Sequence, residues 1–421
     1  MANERVLIVS HNCLSTSGSN GRTLLNYLKG WQKDKTAQLY IHPEMPDFSL
    51  CNRFFCLTDS SVINSIVKRK PAGRIVEKSE ETSSNETKSA GKARKKNSLI
   101  FWARILAWKS RLWNSKKLDD WVDEFKPEII LVQAGDFGPL FDIAVSIKKK
   151  YNAKLVVYNT EGYYFKEESY FRENKFTKLF YKCVYKNYIK SYNRLITESS
   201  VQIYNCDLLK RDYDNAFNTD SYVIMNSSQF TDEAVEENKN SDSIIYAGNL
   251  GLYRYKSIVE FANALSVVSP NMYVDVYGKF SDDECEKEIR QCKNIRYHGF
   301  ISYEELKLKL KKSKYLLHVE SFNDFYRQDL KYAFSTKIAD SLAVGSCLFV
   351  YAPENMAVCQ YLKGKNASVL ITDKAKLQKS IADVFENENI QAQYMSNARL
   401  LALENHNLET NRAKFQSILR R

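Results

Sequence analysis

The chain has 421 residues, about twice the length of an average domain, so we expect two domains with separate cores. Apolar residues make up 44% and charged residues 27% of the chain, which excludes global disorder. No run approaches the roughly 20 apolar residues of a membrane-spanning helix, and the N-terminus passes directly from a charged start into a strand-like run. We therefore expect neither a secreted protein nor one that spans a membrane.

The charge balance and the cysteine usage restrict the partner and the compartment. There are 62 Lys and Arg residues against 50 Asp and Glu, a formal net charge of +12, which favours an anionic partner. Phosphate, a nucleotide, acidic lipid and nucleic acid all satisfy this requirement. The 9 cysteines include no Cys-x-x-Cys pair, so they encode neither a disulfide framework nor a zinc site. We expect reduced thiols in the cytosol.

The first half of the chain alternates buried strands with helices. Residues 5–10 form a continuous apolar strand, followed by a loop of small residues at 15–22 and a helical pattern through 24–31. Further strands are predicted at 129–133 and 155–160, with a helix between them. Apolar strands separated by helices indicate a parallel sheet that is covered by helices on both faces.

Three stretches of the first half stand apart from this alternation. Residues 72–97 contain almost no large apolar side chains, so we expect a mobile insertion. Residues 98–121 predict a basic amphipathic helix rich in tryptophan, and residues 163–194 place many aromatic side chains among lysines. Both segments suit docking on an anionic bilayer, and both also suit packing against the first sheet. The net charge favours docking.

The second half repeats the α/β pattern after a polar stretch. Residues 226–243 have the composition of an interdomain linker. The strands predicted after them fall at 244–247, 273–277, 296–298, 315–319 and 347–351. A helix is predicted at 253–268, and a long helical pattern from about residue 390 to 419 closes the chain. We therefore expect a second parallel α/β domain.

The densest chemical signal follows a strand of this second domain. Glu320 stands at the carboxyl end of a strand, where open parallel sheets place their ligand crevice. Ser335 or Thr336 can cap the next helix, and its first-turn N–H groups together with Lys337 favour a bound anion. Asp340 lies on the same helix face and can accept hydrogen bonds from a ribose diol. Each residue alone also suits an ordinary strand end or surface helix, but their combination indicates a nucleotide diphosphate.

Several short motifs keep the order and spacing of a known family. They are Ala247-Gly248-Asn249-Leu250-Gly251 with Lys256, Tyr277-Gly278, His298-Gly299-Phe300-Ile301-Ser302, and the stretch from Phe334 to Gly345. In these motifs the second half resembles the donor-binding domain of glycosyltransferase family 4 and its capsular-polysaccharide relatives. The resemblance implies the α/β fold called GT-B, in which two Rossmann-like domains face a cleft and a C-terminal helix crosses back to the N-terminal domain.

The resemblance also implies a division of the chain and a cofactor requirement. The expected parts are an acceptor-binding domain at 1–225 with the mobile insertion at 72–97, a linker at 226–243, a nucleotide-sugar donor-binding domain at 244–388 and a crossover helix at 389–421. Enzymes of this type usually need no bound metal. We therefore expect neither a metal nor a cofactor, with the nucleotide-diphosphate sugar bound as a substrate.

Family roles can be carried over to individual residues of the second half. The family binds its sugar nucleotide through two acids; Asp340 matches the second, and Glu320 matches the first at a wider spacing and is a candidate catalytic residue. An arginine and a lysine neutralise the diphosphate leaving group in this family. Lys256 fits the lysine, whereas Asn249 occupies the arginine position and Arg254 is a candidate substitute. The predicted donor-binding residues are Gly248, Asn249, Arg254, Lys256, Ser335, Thr336, Lys337 and Asp340.

The first half offers one loop and one acid as candidates. The loop, which holds Gly18, Ser19, Asn20, Gly21 and Arg22, stands where the family brings backbone amides close to the donor phosphates and the acceptor. Such a glycine-containing turn also serves merely to join a strand to a helix. Asp136 follows a predicted strand and is a candidate base for the acceptor hydroxyl, although surface loops carry such acids without any function.

These observations together predict a nucleotide-sugar-dependent glycosyltransferase. By resemblance it transfers a sugar, with retention of configuration, to a lipid-linked glycan acceptor in the synthesis of a bacterial surface polysaccharide. We expect it in the cytoplasm, peripheral on the inner face of the cell membrane. No nucleic-acid-binding module is recognisable, so a nucleic-acid partner is not expected. Two alternatives stay open: a nucleotide-sugar epimerase of the same fold, and a non-catalytic, membrane-docked protein that binds sugar nucleotides.

Overall fold

The computed structural model describes residues 4–16, 19–78, 97–171 and 173–421. The chain divides into two compact units. The first unit comprises Met1–Asn205, Leu209–Ile224 and Arg412–Arg421, and the second comprises Cys206–Leu208 and Met225–Asn411. Each unit has its own sheet and its own apolar core.

The sheet of the first unit has eight strands in the spatial order β4-β3-β2-β1-β5-β6-β7-β8. The strands are β1 Val6–Ser10, β2 Thr36–Tyr40, β3 Arg53–Cys56, β4 Arg74–Val76, β5 Ile129–Ala134, β6 Lys154–Asn159, β7 Val201–Tyr204 and β8 Ser221–Val223. All pairings are parallel except that of β3 with β4. Strand β1 lies between β2 and β5, with Val6 opposite both Thr36 and Ile129. Its five residues are all buried, as the continuous apolar run predicts.

Helices cover this sheet, and the end of the chain completes its core. The helices are α1 Ser19–Leu28, α2 Asp59–Lys68, α3 Ser98–Lys109, α4 Lys116–Phe125, α5 Gly138–Tyr151, α6 Lys175–Lys178, α7 Tyr181–Glu198 and α8 Asp207–Ala216. Phe415 stacks on Tyr27 of α1 with ring centroids 5.0 Å apart, and Ile418 and Leu419 are buried in the same cluster. The last ten residues of the chain therefore belong to the first unit.

The aromatic side chains of the two basic segments pack mostly inside the first unit. Trp108 is 1% exposed, and its indole Nε1 donates a hydrogen bond to Asp59 Oδ1 over 2.8 Å. Tyr188 and Tyr192 on α7 stack on one another, and both contact Phe141 of α5 edge-on. The sequence left both bilayer docking and internal packing open for these segments. These rings pack internally.

Residues 72–78 depart from the expectation of a mobile insertion. Ala72 is fully buried, and β4 pairs antiparallel with β3, with Val76 opposite Phe54. Gly73 adopts a positive φ of 78° where a side chain would collide with the Phe55 ring. The expectation is wrong for these residues because the free edge of β3 supplies the backbone hydrogen bonds that the segment's composition did not reveal. Residues 79–96 lie outside the described residues.

The sheet of the second unit has six strands, all parallel, in the order β11-β10-β9-β12-β13-β14. The strands are β9 Asn240–Ala247, β10 Tyr273–Tyr277, β11 Ile295–Gly299, β12 Ser313–Val319, β13 Cys347–Tyr351 and β14 Val369–Ile371. The chain adds strands first on one side of β9 and then, from β12, on the other side. This reversal of direction is the doubly wound topology of nucleotide-binding sheets.

Nine described helices surround the second sheet or continue from it. They are α9 Arg254–Val268, α10 Asp283–Gln291, α11 Tyr303–Lys312, α12 Asp324–Leu330, α13 Thr336–Ala343, α14 Ala357–Leu362, α15 Leu377–Phe385, α16 Glu388–Asn405 and α17 Leu408–Arg420. The expectation of one crossover helix at 389–421 is wrong, because α16 ends before His406 and a second helix follows. His406 is completely buried. Asn407 Oδ1 then accepts a hydrogen bond from Thr410 N and caps the next helix. Helix α17 begins in the second unit and ends in the first.

The predicted interdomain linker is part of the second unit. Arg399 on α16 donates hydrogen bonds from its guanidinium to the carbonyl oxygens of Phe230, Thr231 and Glu233 and to that of Ala343. A polar composition suggested a free linker, but one arginine satisfies these backbone carbonyls. The linker expectation is therefore wrong for this part of residues 226–243.

Candidate functional site

A cavity of about 390 Å³ opens at the carboxyl ends of β9 and β10 in the second unit. Gly248 and Asn249, in the turn that follows β9, form one part of its lining. Tyr277, Gly278 and Lys279, at the end of β10 and just beyond it, form another part. Parallel α/β sheets bind their ligands at this edge, so the cavity is the candidate functional site.

The floor of the cavity depends on close contact between backbone turns. Gly248 N donates a hydrogen bond to Tyr277 O over 2.9 Å, and Gly278 N donates to Gly299 O over 2.9 Å. A Cβ atom on Gly278 would lie 2.3 Å from Gly248 O, which no real structure tolerates. Glycine at 278 is therefore what allows three successive strand ends to meet in one surface.

The opposite wall is apolar and partly aromatic. Phe300 and Ile301 follow β11, and Phe300 is 69% exposed. Lys279 Nζ lies 4.6 Å from the centroid of the Phe300 ring. A wall with an exposed ring, an aliphatic side chain and nearby backbone groups can hold a flat heterocycle.

The start of α13 supplies positive charge to the same cavity. Ser335 caps this helix: its Oγ accepts a hydrogen bond from Lys337 N over 3.2 Å. Thr336 is the first helical residue, and the half-buried Lys337 lines the cavity. First-turn N–H groups and an ammonium together favour a bound anion such as phosphate. The structure thus brings Lys337 together with Gly248 and Asn249, as the sequence predicts.

Asp340, three residues further along α13, is buried beneath the helix. It is 5% exposed; Oδ1 accepts a hydrogen bond from Ser228 Oγ over 2.6 Å, and Oδ2 accepts one from Tyr303 OH over 3.1 Å. The carboxylate therefore fixes α13 against the start of α11. Its two oxygens have further lone pairs, so a contact with a ribose stays a prediction. Ser228 and Tyr303 were not predicted as its partners.

The two predicted residues Arg254 and Glu320 meet each other. Arg254 Nε donates a hydrogen bond to Glu320 Oε2 over 2.7 Å, and His318 Nε2 lies 3.5 Å from Oε1. Burial disfavours the charged carboxylate, but the positive charge of Arg254 and the contact with His318 outweigh it and lower the pKa of Glu320. Neither Arg254 nor Glu320 belongs to the described lining of the cavity. Their catalytic and donor-binding roles stay predictions.

Lys256 lies with acids of α10 rather than at the cavity. Its Nζ is 3.0 Å from Glu284 Oε1 and 3.5 Å from Glu288 Oε1. The hydrogen bond to Glu284 raises the pKa of Lys256. The structure does not bring this lysine together with Lys337.

In the first unit, Asp136 lies beside a histidine at the carboxyl ends of β1 and β5. His11 Nε2 is 3.4 Å from Asp136 Oδ1, and Tyr170 OH donates to Asp136 Oδ2 over 3.4 Å. A Cβ atom on Gly135 would lie 2.3 Å from His11 Cε1, so the glycine makes room for the imidazole. A carboxylate paired with an imidazole can accept a proton from a hydroxyl group. The catalytic role predicted for Asp136 stays a prediction.

The predicted phosphate loop is shorter in the structure than the sequence suggests. Gly18 lies outside the described residues, whereas Ser19, Asn20, Gly21 and Arg22 form the first positions of α1. A Cβ atom on Gly21 would lie 2.5 Å from Cys13 O. Small residues at these positions predicted a loop, but here a glycine lets a helix pack directly on the turn after β1. The loop expectation is wrong for residues 19–22.

Metal sites and membrane spans can be assessed only for the described ranges. Within them, no group of three or more His, Cys, Asp or Glu side chains is arranged to hold a metal ion. The absence of a metal and a cofactor stays a prediction. Among the same residues, no helix combines the length and the apolar composition that crossing a bilayer requires.

Comparisons with known proteins bear on both the fold and the family. Residues 255–417 match a family model described as glycosyl transferase-like. A search of the curated proteins found no match. Among solved structures, HepE from Anabaena, in complex with UDP, is 12% identical with a TM-score of 0.66, and the match covers 99% of each chain. These matches show that the chain has the GT-B fold and that residues 255–417 are similar to a glycosyl transferase-like family.

Two further solved structures share this fold over nearly the whole length. Sucrose-phosphate synthase from Thermosynechococcus elongatus is 9% identical with a TM-score of 0.62, covering 99% of this chain and 98% of its own. WaaG, described as a glycosyltransferase involved in lipopolysaccharide biosynthesis, is 10% identical with a TM-score of 0.57, covering 98% and 99%. The predicted GT-B fold is confirmed over nearly the whole chain, and the family model supports a glycosyltransferase-like second half.

Several residues that line the cavity were missed as site residues. Tyr277, Gly278 and Lys279 end a strand and follow it, and the same rule that selected Glu320 could have selected them. Phe300 and Ile301, like Tyr277 and Gly278, appeared only within a family motif. No local signal distinguished Phe300 from an ordinary surface residue.

Proposed function

We propose that this protein transfers a sugar from a uridine-diphosphate sugar to a glycan acceptor. The observation that carries the proposal is the cavity at the ends of β9 and β10, where Lys337 and the start of α13 meet an apolar wall. A nucleotide diphosphate needs both features: a flat apolar slot for its base and positive charge for its phosphates. HepE was solved with UDP and with UDP-glucose, which supports uridine as the base to test first.

In this proposal each part of the second unit has one task. The base lies against Phe300 and Ile301, and the diphosphate lies at the start of α13 with Lys337. Asp340 binds the ribose and holds α13 in place through Ser228. The predicted donor-binding role of Arg254 and the predicted catalytic role of Glu320 stay part of the proposal, and the two side chains pair through a hydrogen bond of 2.7 Å.

We propose that the first unit binds the acceptor. Asp136, held by His11 and Tyr170, binds the acceptor hydroxyl and accepts its proton as that oxygen bonds to the anomeric carbon. The bond from this carbon to the β-phosphate oxygen breaks at the same time, and UDP leaves. The resemblance to glycosyltransferase family 4 supports retention of the anomeric configuration. Proton NMR of the first product formed distinguishes retention from inversion through the anomeric coupling constant.

The acceptor that we propose is a lipid-linked glycan, and the setting is the assembly of a bacterial surface polysaccharide such as a capsule. The protein would work in the cytoplasm, peripheral on the inner face of the membrane. The net charge of +12 supports an anionic membrane as its partner. The shared fold with WaaG, a protein described as acting in lipopolysaccharide biosynthesis, supports a glycan of the cell surface.

Calorimetry on the full chain tests the donor. We expect saturable binding of a UDP-sugar and weaker binding of GDP- and CMP-sugars. Lys337→Ala should weaken donor binding by about tenfold or more, since a charge-assisted contact to phosphate is lost. Lys365→Ala, which changes an exposed lysine of the same unit, is the matched control. Unchanged affinity in Lys337→Ala, or no binding of any sugar nucleotide, would contradict the proposal.

A further inference from the structure

Helix α3 is apolar on all sides but buried on only one. Of its 12 residues only Ser98, Arg104 and Lys109 are polar. Its inner side is buried through residues such as Phe101 and Trp108, whereas other apolar side chains point outward. A helix that is apolar all round normally has both sides covered, by protein or by lipid.

The neighbouring helices extend this outer side into a broad apolar surface. Helix α3 packs against α2 and α6, and both carry exposed apolar side chains of their own. We call this surface the apolar face; it consists of Ile63, Ile66 and Val67 on α2, Ile100 and Leu106 on α3, Leu112 after α3, and Phe176 and Leu179 at α6. Their exposed fractions run from 40% to 71%. Ile75 apart, these are the exposed large apolar side chains of the described first unit.

The charged side chains on the helices that form the apolar face are mostly basic. On α2, α3 and α6 the one acidic residue is Asp59, and Arg104 Nε donates a hydrogen bond to its carboxylate over 2.8 Å. The exposed bases of these helices are Lys68, Lys109, Lys175 and Lys178. The bases of these helices therefore outnumber their acids, and Lys178 Nζ lies 3.8 Å from Glu168 Oε2 in the segment before α6.

We propose that the apolar face docks the protein onto an anionic lipid bilayer. Aliphatic side chains of this size enter the region between headgroups and acyl chains, and the surrounding lysines attract anionic headgroups. A second copy of the same face is a poor occupant, because it would place lysine against lysine. The inference names the docking surface of the proposed function and rests on that function for its biological role.

The docking residues differ from those that the sequence suggested. Trp108, Trp113 and Trp121 are buried, so three of the four tryptophans of residues 98–121 are unavailable to lipid, and Trp102 is half-buried. The available side chains are mainly aliphatic and come from three separate segments. Only the folded structure shows that Ile66, Leu106 and Leu179 stay exposed although α3 packs against α2 and α6.

Flotation of the full chain with lipid vesicles tests the apolar contribution. We expect binding to vesicles that contain phosphatidylglycerol and little binding to phosphatidylcholine alone. The double variant Ile100→Ser/Leu106→Ser should bind roughly tenfold or more weakly, because two exposed aliphatic groups no longer enter the bilayer. Val267→Ser/Leu403→Ser, which changes exposed apolar residues of the second unit, should bind like the parent.

A charge variant tests the electrostatic part of the same surface. Lys175→Gln/Lys178→Gln should weaken binding roughly 25-fold at low salt, since each basic residue near an anionic surface contributes about a fivefold factor. Higher ionic strength should shrink this difference. Lys365→Gln/Lys379→Gln removes two exposed lysines of the second unit and should leave vesicle binding unchanged.

Three outcomes would overturn the inference. The first is equal vesicle binding by the parent and the apolar variant, and the second is vesicle binding that does not depend on lipid charge. The third is a dimer of the parent without lipid that is absent in the apolar variant. Donor calorimetry without vesicles on the same variants separates the two proposals. If donor binding persists while vesicle binding fails the test, only the docking surface is wrong; if vesicle binding behaves as expected without donor binding, only the proposed function is wrong.

Discussion

Arg254 Nε donates a hydrogen bond to Glu320 Oε2 over 2.7 Å, although 66 residues separate the two in the sequence. The arginine begins α9 and the glutamate follows β12, so this pair links the start of α9 to the end of a neighbouring strand of the second sheet. The two side chains are 13% and 2% exposed. An intact buried ion pair of this kind changes the free energy of unfolding little. Removal of one partner lowers that free energy strongly, because the other charge stays buried without a counter-charge.

Removal of one partner of this pair should destabilise the second unit. We expect Arg254→Met to lower the free energy of unfolding by about 3–5 kcal/mol, because it leaves the Glu320 carboxylate buried without its main counter-charge. The double variant Arg254→Met/Glu320→Gln should lose less than the sum of the two single variants. Urea denaturation measures all four proteins; strictly additive losses would show that the pair does not act as a unit.

Asp340 should prove important for stability as well as for donor binding. Asp340→Ala removes the acceptor of two hydroxyl groups, and we expect it to lower the free energy of unfolding by about 2–3 kcal/mol. Ser228→Ala removes only one of these hydrogen bonds and should cost about 1–2 kcal/mol. Chemical denaturation gives the stabilities, and calorimetry at a temperature where each variant is folded gives donor affinity. A fully stable Asp340→Ala would contradict the structure.

The contact between Gly278 and Gly248 should be sensitive to a single methyl group. Gly278→Ala places its Cβ 2.3 Å from Gly248 O, so the turns after β9 and β10 must separate. We expect a loss of donor affinity of about tenfold or more together with lower stability. Gly251→Ala is the control, because its Cβ would lie 3.0 Å from the movable Asn249 Oδ1. Equal effects of the two substitutions would show that this backbone contact does not shape the cavity.

His406 should make stability depend on pH in the acidic range. Burial disfavours the imidazolium and lowers the pKa of His406 to about 4, while Nδ1 contacts Asn226 O and Nε2 contacts Tyr361 OH. The unfolded chain binds this proton near pH 6.5, so the folded state is stabilised above that pH. As the pH falls from about 6.5 to 4, we expect a loss of up to about 3 kcal/mol from this group.

His406→Gln isolates this contribution from the titration of carboxylates. The variant should be less stable than the parent at pH 7, but its stability should fall less steeply between pH 6.5 and 4.5. Urea denaturation at several pH values measures both slopes. Parallel slopes for the two proteins would show that His406 does not titrate in this range.

Local sequence patterns were enough to predict the strands and the fold class. The strands expected at 129–133, 273–277 and 347–351 appear at Ile129–Ala134, Tyr273–Tyr277 and Cys347–Tyr351. Continuous apolar runs between polar segments define such strands, and a run of this kind depends on adjacent residues alone. The predictions were wrong where the local structure depends on contacts with distant residues. Strand β4 forms by pairing with the edge of β3, and the helix at Gly21 packs on the turn after β1.

The predictions for the candidate site also succeeded for local features and failed for contacts between distant elements. The sequence predicted Gly248, Asn249 and Lys337, because a strand end and a helix start are local features whose chemistry can be read from neighbouring residues. It did not predict that Arg254 would pair with Glu320, since that contact depends on where two distant elements come to lie.

The amino-acid sequence by itself determined two parallel α/β units, a helix start suited to phosphate and an excess of positive charge. These properties follow from periodicity, capping residues and composition, which act over a few positions or over the whole chain. The tertiary structure alone decided that Asp340 is held by Ser228 and that the aliphatic residues of α2, α3 and α6 form one uncovered face. The physical reason is that burial and partner choice depend on which distant elements pack together, and no short stretch of sequence contains that information.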